Sequence, residues 1–596
     1  MATMRWVVAV AFVLGWSGLP ARLVSAEDNN GSAVVAGERD AQWNALVDEY
    51  LERAYFPRNP SSATQAGLHQ YDNSIEDYSN SARIKEIQVL YRYEKRVEEF
   101  SPAGLDAVNA ADRQILLGQI RSRLLTLETI QPLEKNPDIY SGGVSGSIYV
   151  LMNRKFAAAE DRLRSSIARE KKIPGILEAA RTNLKNPARV STEIAIEQLP
   201  GITSFFEKDV PLAFANVKDA VLNAEFQKTN TAVVAALKEY QTWLQADLLP
   251  RSNGDFRIGA ENFSRKLQYE EMVDTPLERL LTVGMDDLHK NQAEFQRVAK
   301  EIDPRKKPSE VLADLAAMHP APDKLLDTFR GTFDGLITFI RKKYIITIPQ
   351  GPKPILQETP PFARATTTAS MDTPGPFETK ATESYFNVTL PAPEDSPEDV
   401  ASLMAAFNIG TIFSTSTHET YPGHYMQYLW TSRAPSKLRK VFAADTNVEG
   451  WAHYCEQMML EQGYAQPGLG AKDALEAKYI HLGQLQDALL RDARFVVGIR
   501  MHSGTMSIDE AQEFFVKEGY QSAKIASIET KRGTSDPTYL YYTLGKLQIL
   551  KLREDYKKKT GADFTLGKFH DAFMGQGFPP IAIIRQTLLG DGSPAL

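Results

Sequence analysis

The stretch FSTSTHETYPGHYMQ, from Phe413 to Gln427, combines two histidines, an acidic residue and a Pro-Gly pair that disfavours a regular helix. His418 is followed directly by Glu419, and the second histidine, His424, comes six positions after the first. These residue types are those of a metal-dependent hydrolase, in which histidines hold the ion and the adjacent glutamate serves as the base. This stretch is predicted to be the point around which the remaining helices are arranged.

The six-residue spacing is unusual for two metal ligands on one helix. A straight helix turns by about 100° per residue, so His418 and His424 would point about 120° apart. The common zinc motif avoids this with histidines four positions apart. Pro422, however, has no N–H for the carbonyl of His418 and its ring crowds that carbonyl, while Gly423 tolerates unusual backbone angles. The sequence therefore predicts a local break, which would bring both rings to one ion.

A third ligand is expected within a few turns, and NVEGWAHYCE at residues 447–456 supplies the candidates. Glu449, His453 and Glu456 lie on roughly one helical face, at positions i, i+4 and i+7. Two histidines and a glutamate with an open fourth position make a catalytic zinc site, so Glu449 is predicted as the third ligand. Glu456 is predicted to hold a ligand histidine through the ring nitrogen that faces away from the metal.

Each of these residues also has an ordinary structural explanation. His418 and His424 are compatible with capping or packing around a helix start, because serines and threonines that suit an N-cap precede them. Glu449 is compatible with simple stabilisation of a helix N-terminus, and Glu456 with a solvated face.

Charge and cysteine content restrict the class of protein. The 596-residue chain has a net charge of -7 and dispersed basic residues, which argues against nucleic acid as its main partner. The single cysteine, Cys455, cannot form an internal disulfide. Stability must therefore come from burial, and 43% of the residues are hydrophobic.

The first 26 residues have the pattern of a secretory signal peptide. Arg5 precedes an apolar run from Trp6 to Leu14, and Val24-Ser25-Ala26 is a small-residue cleavage site, with no lipobox-type cysteine beside it. No later stretch approaches the roughly 20 apolar residues that a membrane span needs. We expect an exported bacterial protein, periplasmic or secreted, without a membrane span after cleavage; a retained N-terminal anchor is the less favoured alternative.

The hydrophobic pattern predicts a mainly α fold with one small β-sheet. Residues 27–343 form a helical N-terminal part, with apolar residues at helical spacing such as Leu116, Ile120, Leu124 and Leu127. Residues 344–596 begin with a β-branched, proline-broken and alternating segment, the β insert, which lies just before the helix that carries His418. Helical patterning then resumes, and no low-complexity linker separates the two parts.

Three stretches, HETYPGHYMQ, EGWAHYCE and PTYLYYTLGKLQILKLRE, resemble the DUF885 family of bacterial proteins, which is related to the gluzincin metallopeptidases. The resemblance covers about residues 44–588 and includes an early PSSATQAGLHQYD stretch. In gluzincin aminopeptidases the ligand glutamate lies in an NEGFA-like helix, to which EGWA is similar. The resemblance implies a large, helical, two-lobed peptidase in which Zn²⁺ is held by His418, His424 and Glu449 and the general base is Glu419.

The resemblance also implies groups that would stabilise the oxyanion formed during hydrolysis. Tyr542 matches the tyrosine of a SYKIG-like family motif, and His502 matches the histidine of a RLVVDTGIH-like stretch, which here reads RFVVGIRMH at residues 494–502. The chain departs from that stretch at Gly498, where the family pattern has Asp, and at Arg500, where it has Gly. Arg500 is therefore a candidate for binding a substrate carboxylate.

The β insert has a predicted use in substrate binding. A strand from Glu383 to Leu390 at the edge of a cleft would pair with an extended peptide, with Tyr385 and Asn387 as substrate-binding residues. The alternative is a sheet that only supports the helices.

The favoured function is an exported zinc peptidase that acts on short peptides, a substrate size that the resemblance implies. The alternatives are an exported protein with a degenerate zinc- or ligand-binding site and a metallohydrolase of non-peptide amides or esters. The oligomeric state is left open.

Overall fold

A computed structural model of the protein describes residues 30–359, 367–392 and 395–596. The predicted signal peptide, residues 1–26, lies outside the described residues. The prediction of a mainly α fold with a small sheet is confirmed. Within the described ranges, no helix is both long and apolar enough to cross a membrane.

Fifteen α-helices of the described chain precede the sheet. Several begin at a side-chain cap: the side chains of Ser79, Asp106 and Asp219 each accept a backbone N–H of the first helical turn. The helices are α1 Asn30–Tyr50, α2 Pro60–Gln65, α3 Asn80–Glu99, α4 Ala107–Leu125, α5 Pro132–Lys135, α6 Asp138–Met152, α7 Ala159–Glu170, α8 Ile173–Asn183, α9 Arg189–Ser204, α10 Val210–Ala213, α11 Ala220–Trp243, α12 Ala260–Glu271, α13 Leu277–Ile302, α14 Pro308–Ala316 and α15 Leu325–Lys343.

The β insert forms a three-stranded sheet of β1 Ile355–Glu358, β2 Ala369–Asp372 and β3 Tyr385–Val388. The strand order is β1-β3-β2, with β1 parallel and β2 antiparallel to β3. Phe386 and Val388 of β3 are fully buried, and the ring of Phe386 packs edge-on against Phe329 of α15 at 5.3 Å. The sheet therefore shares its core with the helices on either side of it in sequence.

Helices again dominate after the sheet, apart from a two-residue pair of strands, β4 Gln466–Pro467 and β5 Gly470–Ala471. These helices are α16 Pro397–Ala406, α17 Ile409–Glu419, α18 His424–Thr431, α19 Leu438–Val441, α20 Asp445–Glu461, α21 Ala474–His502, α22 Ile508–Lys517, α23 Ala523–Ser535, α24 Tyr541–Thr560, α25 Leu566–Met574 and α26 Ile581–Leu589. α20 packs along α24, and α21 packs along both α13 and α17.

The crossing of α20 and α24 is a direct contact between two glycines. A Cβ added to Gly450 would lie 2.5 Å from the Cα of Gly545, and one added to Gly545 would lie 1.9 Å from the carbonyl oxygen of Thr446. The two backbones touch because neither residue has a side chain. Gly450 therefore allows the close approach of α24.

The early stretch PSSATQAGLHQYD connects the N-terminal helices to the chain that leads into β3. The imidazole of His69 lies 3.1 Å from Oδ2 of Asp72 and 3.0 Å from Oε2 of Glu378, and the backbone N–H of Phe377 donates to the carbonyl of Ala66 at 2.7 Å. Burial lowers the pKa of His69, but the hydrogen bonds to Asp72 and Glu378 outweigh it and raise this pKa to about 9. This motif therefore has a structural role: it joins the N-terminal helices to the segment before β3. We call these contacts of His69 with Asp72 and Glu378 the His69 clasp.

Candidate metal centre

The helix that carries His418 ends where the sequence predicts a break. α17 stops at Glu419 and α18 starts at His424, and Thr420 between them has non-helical angles of φ -112° and ψ -89°. The break turns the two imidazoles toward each other: their ring centroids are 4.8 Å apart and their planes are perpendicular. A six-residue separation along the chain thus becomes a direct contact in space.

Two contacts hold this turn in place. A Cβ on Gly423 would lie 1.8 Å from the carbonyl oxygen of His418, so the turn folds back over the end of α17 only because residue 423 is glycine. The indole Nε1 of Trp451, on α20, donates a hydrogen bond of 2.8 Å to the carbonyl of Pro422. The position of His424 therefore depends on α20 as well as on its own helix.

Glu449 of α20 completes a three-residue cluster. Its Oε2 lies 3.4 Å from Nε2 of His418 and 3.5 Å from Nε2 of His424, and a ligand atom from each residue falls within 4.8 Å of the others. Oε2 is buried, and no donor among the described residues forms a hydrogen bond with it. A buried carboxylate oxygen without a donor is costly unless a cation satisfies it.

The opposite nitrogen of each imidazole is bonded to the protein. Nδ1 of His418 lies 2.7 Å from Oε1 of Glu456, and Nδ1 of His424 lies 2.9 Å from Oε1 of Gln427. Carboxylate and amide oxygens only accept, so each Nδ1 carries the proton and each Nε2 is left with a lone pair. The amide nitrogen of Gln427 donates to the carbonyl of Val448 at 3.3 Å, which supports this orientation of the side chain.

Both separations from the Glu449 oxygen are of the size that a zinc site requires. Zinc binds imidazole nitrogen and carboxylate oxygen at about 2.0–2.2 Å with tetrahedral geometry, which places neighbouring ligand atoms about 3.3–3.5 Å apart. The separations of 3.4 and 3.5 Å in the cluster match that requirement. Both supporting contacts, from Glu456 and Gln427, are of the kind that orients ligand histidines in metalloproteins.

Glu419 lies at the end of α17, next to these ligands and close to the sheet. Burial raises the pKa of its carboxyl group, against the opposing effects of the two neighbouring histidines and of a hydrogen bond from the backbone of Met371 in β2. The carboxyl group is therefore positioned between the cluster of His418, His424 and Glu449 and β2.

Tyr542 reaches the same region from α24. It lies one helical turn before Gly545, so the glycine contact that joins α20 to α24 also sets its position relative to Glu449. Burial and then the charge of Glu449 raise the pKa of the Tyr542 phenol, which keeps the hydroxyl protonated and able to donate. Nη2 of Arg532 lies 3.5 Å from this hydroxyl.

The family described as "Bacterial protein of unknown function (DUF885)" matches residues 60–588. The chain belongs to the DUF885 family. A solved structure from Shewanella oneidensis, described as a "putative lipoprotein of unknown function", is similar to this DUF885 protein, with a TM-score of 0.76 and 26% identity over 92% of this chain and 99% of the other. A "putative lipoprotein" from Colwellia psychrerythraea shares the fold, with a TM-score of 0.75 and 18% identity over 93% and 99% of the two chains. No curated protein matches.

Two other predicted residues do not join the cluster in this DUF885 protein. His502 lies 11 residues beyond Arg491 on α21, about 16 Å further along the helix. Its Nε2 donates to the carbonyl of Gly533 at 2.7 Å and its Nδ1 accepts from the backbone of Ile258 at 3.3 Å, so neither nitrogen is left for an oxyanion. Arg500 is nine residues beyond Arg491, which places it about 180° around the helix, on the opposite face.

The predicted substrate strand also needs correction. The segment with Tyr385 and Asn387 is β3, the central strand, and both of its edges are already paired, with β1 and with β2. The Asn387 side chain is buried and its Oδ1 accepts from Nε2 of Gln357 at 2.9 Å. An extended peptide therefore cannot add to β3; among the described strands, β2 is the edge that lies beside Glu419.

Sequence reasoning missed Gln427 and three arginines. Gln427 follows His424 by three positions, a spacing that places both on one helical face. Arg491 and Arg494 show the same spacing within a largely apolar part of α21, where charged residues are uncommon unless paired, and Arg532 lies on α23. The i, i+3 spacing is the signal that was available for the first two arginines.

Proposed function

We propose that this DUF885 protein is an exported, zinc-dependent peptidase that hydrolyses short peptides. The observation that carries the proposal is the convergence of two imidazole Nε2 atoms on one carboxylate oxygen, at 3.4 and 3.5 Å, separations that suit two ligands of one zinc ion. The resemblance of HETYPGHYMQ and EGWA to gluzincin motifs supports hydrolysis as the chemistry. The description of two structural relatives as lipoproteins, together with the signal-like N-terminus, supports export.

Each residue has a defined part in the proposed reaction. His418, His424 and Glu449 would hold the zinc ion, which when bound polarises a carbonyl group and lowers the pKa of water. Glu419 accepts a proton from the attacking water and passes it to the leaving amine. The Tyr542 hydroxyl donates a hydrogen bond to the oxyanion that develops at the scissile carbonyl.

The outer edge of β2, which no other described strand covers, supports a peptide rather than an ester as the substrate. β2 pairs with β3 on one side only, and Met371 directs its backbone N–H toward Glu419 on the other. Backbone groups at such an edge form hydrogen bonds with an extended peptide independently of its side chains. A substrate held here would present its backbone to Glu419.

The test combines metal analysis with a peptide-library digest read by mass spectrometry. Purified protein is expected to contain about one zinc ion per chain and to cleave peptides, and Glu419→Gln is expected to keep the metal and lose turnover. Glu398→Gln, at an exposed position on α16, is the matched control and should retain both properties. A protein without bound metal would overturn the proposal.

Two further outcomes separate the alternatives. Metal without turnover of any substrate would favour a binding protein with a degenerate site. Hydrolysis of esters or non-peptide amides, but of no peptide, would favour the alternative of a metallohydrolase that acts on those substrates. Peptide turnover that survives Glu419→Gln would exclude Glu419 as the base.

A further inference from the structure

Three arginine side chains surround the ring of Tyr542. The guanidinium carbons of Arg494, Arg491 and Arg532 lie 5.0, 5.7 and 5.8 Å from its centroid. The first two come from α21 and the third comes from α23. A cation–π contact requires one cation over a ring, and three guanidinium groups surround this ring beside a candidate metal centre.

In two of these arginines the protein leaves the Nη1 group unused. Arg494 binds Glu529 through Nε and Nη2, at 2.7 and 2.8 Å, and Nη2 of Arg532 contacts Asp536 and two tyrosine hydroxyls. Among the described residues, the Nη1 group of each arginine has no acceptor, and neither Nη1 atom is fully enclosed by protein. Both side chains are nevertheless largely buried, with exposed fractions of 9% and 14%.

Arg532 also has a second unused donor. Its Nε is fully buried and has no acceptor among the described residues. Buried guanidinium groups with free donors are costly in isolation, and their planar arrangement of N–H groups matches a carboxylate. The arrangement is therefore suited to an anion that the protein itself does not supply.

This anion position lies directly beside the proposed catalytic centre. Arg491 is 3.1 Å from Oε1 of Glu456, and the same oxygen is 2.7 Å from Nδ1 of His418. On the other side, the charge of Glu449 acts on Tyr542. Tyr542 thus stands between the candidate metal ligands and the unused Nη1 groups of Arg494 and Arg532.

We propose that Arg494 and Arg532 bind the terminal carboxylate of the substrate, so that the enzyme removes the C-terminal residue of a peptide. This inference rests on the proposed peptidase function. Carbonyl carbons of consecutive residues are about 3–4 Å apart. The Tyr542 hydroxyl and the Arg532 guanidinium, which are 3.5 Å apart at Nη2, are close enough for a carboxylate bound at Arg532 to lie about one residue beyond the scissile bond.

The reaction then splits one amide bond near the chain end. The oxygen of water bonds to the carbonyl carbon, the C–N bond breaks, and the amine takes a proton and leaves as a free amino acid. Arg494 and Arg532 take no part in these bond changes; they fix the register of the substrate through its charge.

The first test compares acetyl-Ala-Ala-Ala with its C-terminal amide, using the full-length zinc-supplemented protein. The free acid is expected to be cleaved at its last peptide bond with a kcat/KM at least tenfold higher, because the amide loses the charge-assisted hydrogen bonds. Equal cleavage of both would overturn the inference and leave the peptidase proposal standing. If neither of these two peptides and no peptide of the library is cleaved, the peptidase proposal itself is overturned.

A binding measurement tests the carboxylate site without turnover. Zinc-loaded Glu419→Gln protein, titrated with the same two peptides by calorimetry, is expected to bind the acid at least tenfold more tightly than the amide. Equal affinities, or no binding of the acid at millimolar concentration, would overturn the inference.

Substitutions then assign the preference to these arginines. Arg532→Gln is expected to raise KM for the acid at least tenfold and to abolish the acid-over-amide preference, whereas Arg532→Lys, which keeps the charge, should retain part of it. Arg500→Gln, on the opposite face of α21, is the matched control and should leave the preference unchanged. Circular dichroism checks folding. If Arg532→Gln is unfolded, the acid-over-amide preference of Arg532→Lys is compared with that of the parent protein instead. A folded Arg532→Gln with an intact preference would overturn the assignment.

Discussion

Oε1 of Glu456 lies 2.7 Å from Nδ1 of His418, and Glu456 is completely buried. This contact fixes which nitrogen of His418 carries the proton and which one faces Glu449. Arg491 contacts the same carboxylate oxygen at 3.1 Å, so one acid connects a candidate metal ligand to the arginines around Tyr542.

Glu456→Gln is therefore expected to weaken zinc binding by about 10–100-fold while the three ligands remain in place. The amide keeps the shape of the side chain but loses the negative charge that makes the imidazole a better ligand. Competition with a chromophoric chelator measures the affinity, and Glu398→Gln serves as the exposed control. An unchanged affinity would show that Glu456 does not support the ligand.

Gly545→Ala is expected to lower the free energy of unfolding by about 1–3 kcal/mol, because the new methyl group would overlap the carbonyl of Thr446. It should also weaken zinc binding, since α20 carries Glu449. Urea titration measures the first effect. The control is Gly175→Ala on α8, where an added Cβ meets nothing within 4 Å and should stabilise the helix slightly. Equal stability of both variants would contradict the close contact of α20 and α24.

The His69 clasp predicts a loss of stability at alkaline pH. The pKa of His69 is raised in the folded protein to about 9, so its stabilisation is fully present below about pH 6.5 and is lost as the pH rises through 9. His69→Gln should cost about 1–2 kcal/mol at pH 6, a figure reduced for partial solvent exposure, and much less at pH 10. Urea titrations across this range measure the difference. His319→Gln, at an exposed position, should show no such convergence with the parent protein.

At Glu170, in contrast to His69, substitution is expected to stabilise the protein at alkaline pH. Burial raises the pKa of this carboxyl group to about 8, and Thr229 donates to one of its oxygens while the other has no donor among the described residues. The folded state holds a proton that the unfolded state releases, so this group lowers stability as the pH rises from about 4.5 to 8. Glu170→Gln should therefore stabilise the protein by about 1–3 kcal/mol at pH 8 and by little at pH 4.

The control for this prediction is Glu239→Gln, an exposed glutamate on α11. Thermal unfolding at several pH values is the measurement. A stabilisation that is the same at pH 4 and pH 8 would mean that the proton on Glu170 is not its source.

The parts of the centre that local chemistry controls were predictable from the sequence. Pro422 and Gly423 predict a break between the two histidines, and the structure has that break. The helical spacing of Glu449 and Glu456 predicts that one acid faces the histidines directly while the other reaches a ring from behind, and both contacts are present. The break and the helical spacing each involve residues within about two helical turns, whereas the contacts with His418 join α17 to α20 and were inferred from the need of a metal site for a third ligand.

Features that depend on distant contacts were not predictable in this way. The order β1-β3-β2 places the alternating strand in the middle of the sheet, although its sequence is equally compatible with an edge. Arg494 pairs with Glu529, which is 35 residues further along the chain, so its orientation toward Tyr542 depends on how α23 packs. His502 was assigned from a motif that this chain only partly matches. Both of its ring nitrogens form hydrogen bonds with backbone groups, each from a different segment.

The hydrogen bond from Trp451 to Pro422 links two of the candidate ligands through one helix. α20 supplies Glu449 and, through Trp451, also anchors the loop that leads into His424. Any displacement of α20 would carry Glu449 and the loop before His424 together. Under the proposed function, a bound ion would therefore keep these two groups in a fixed relation to each other.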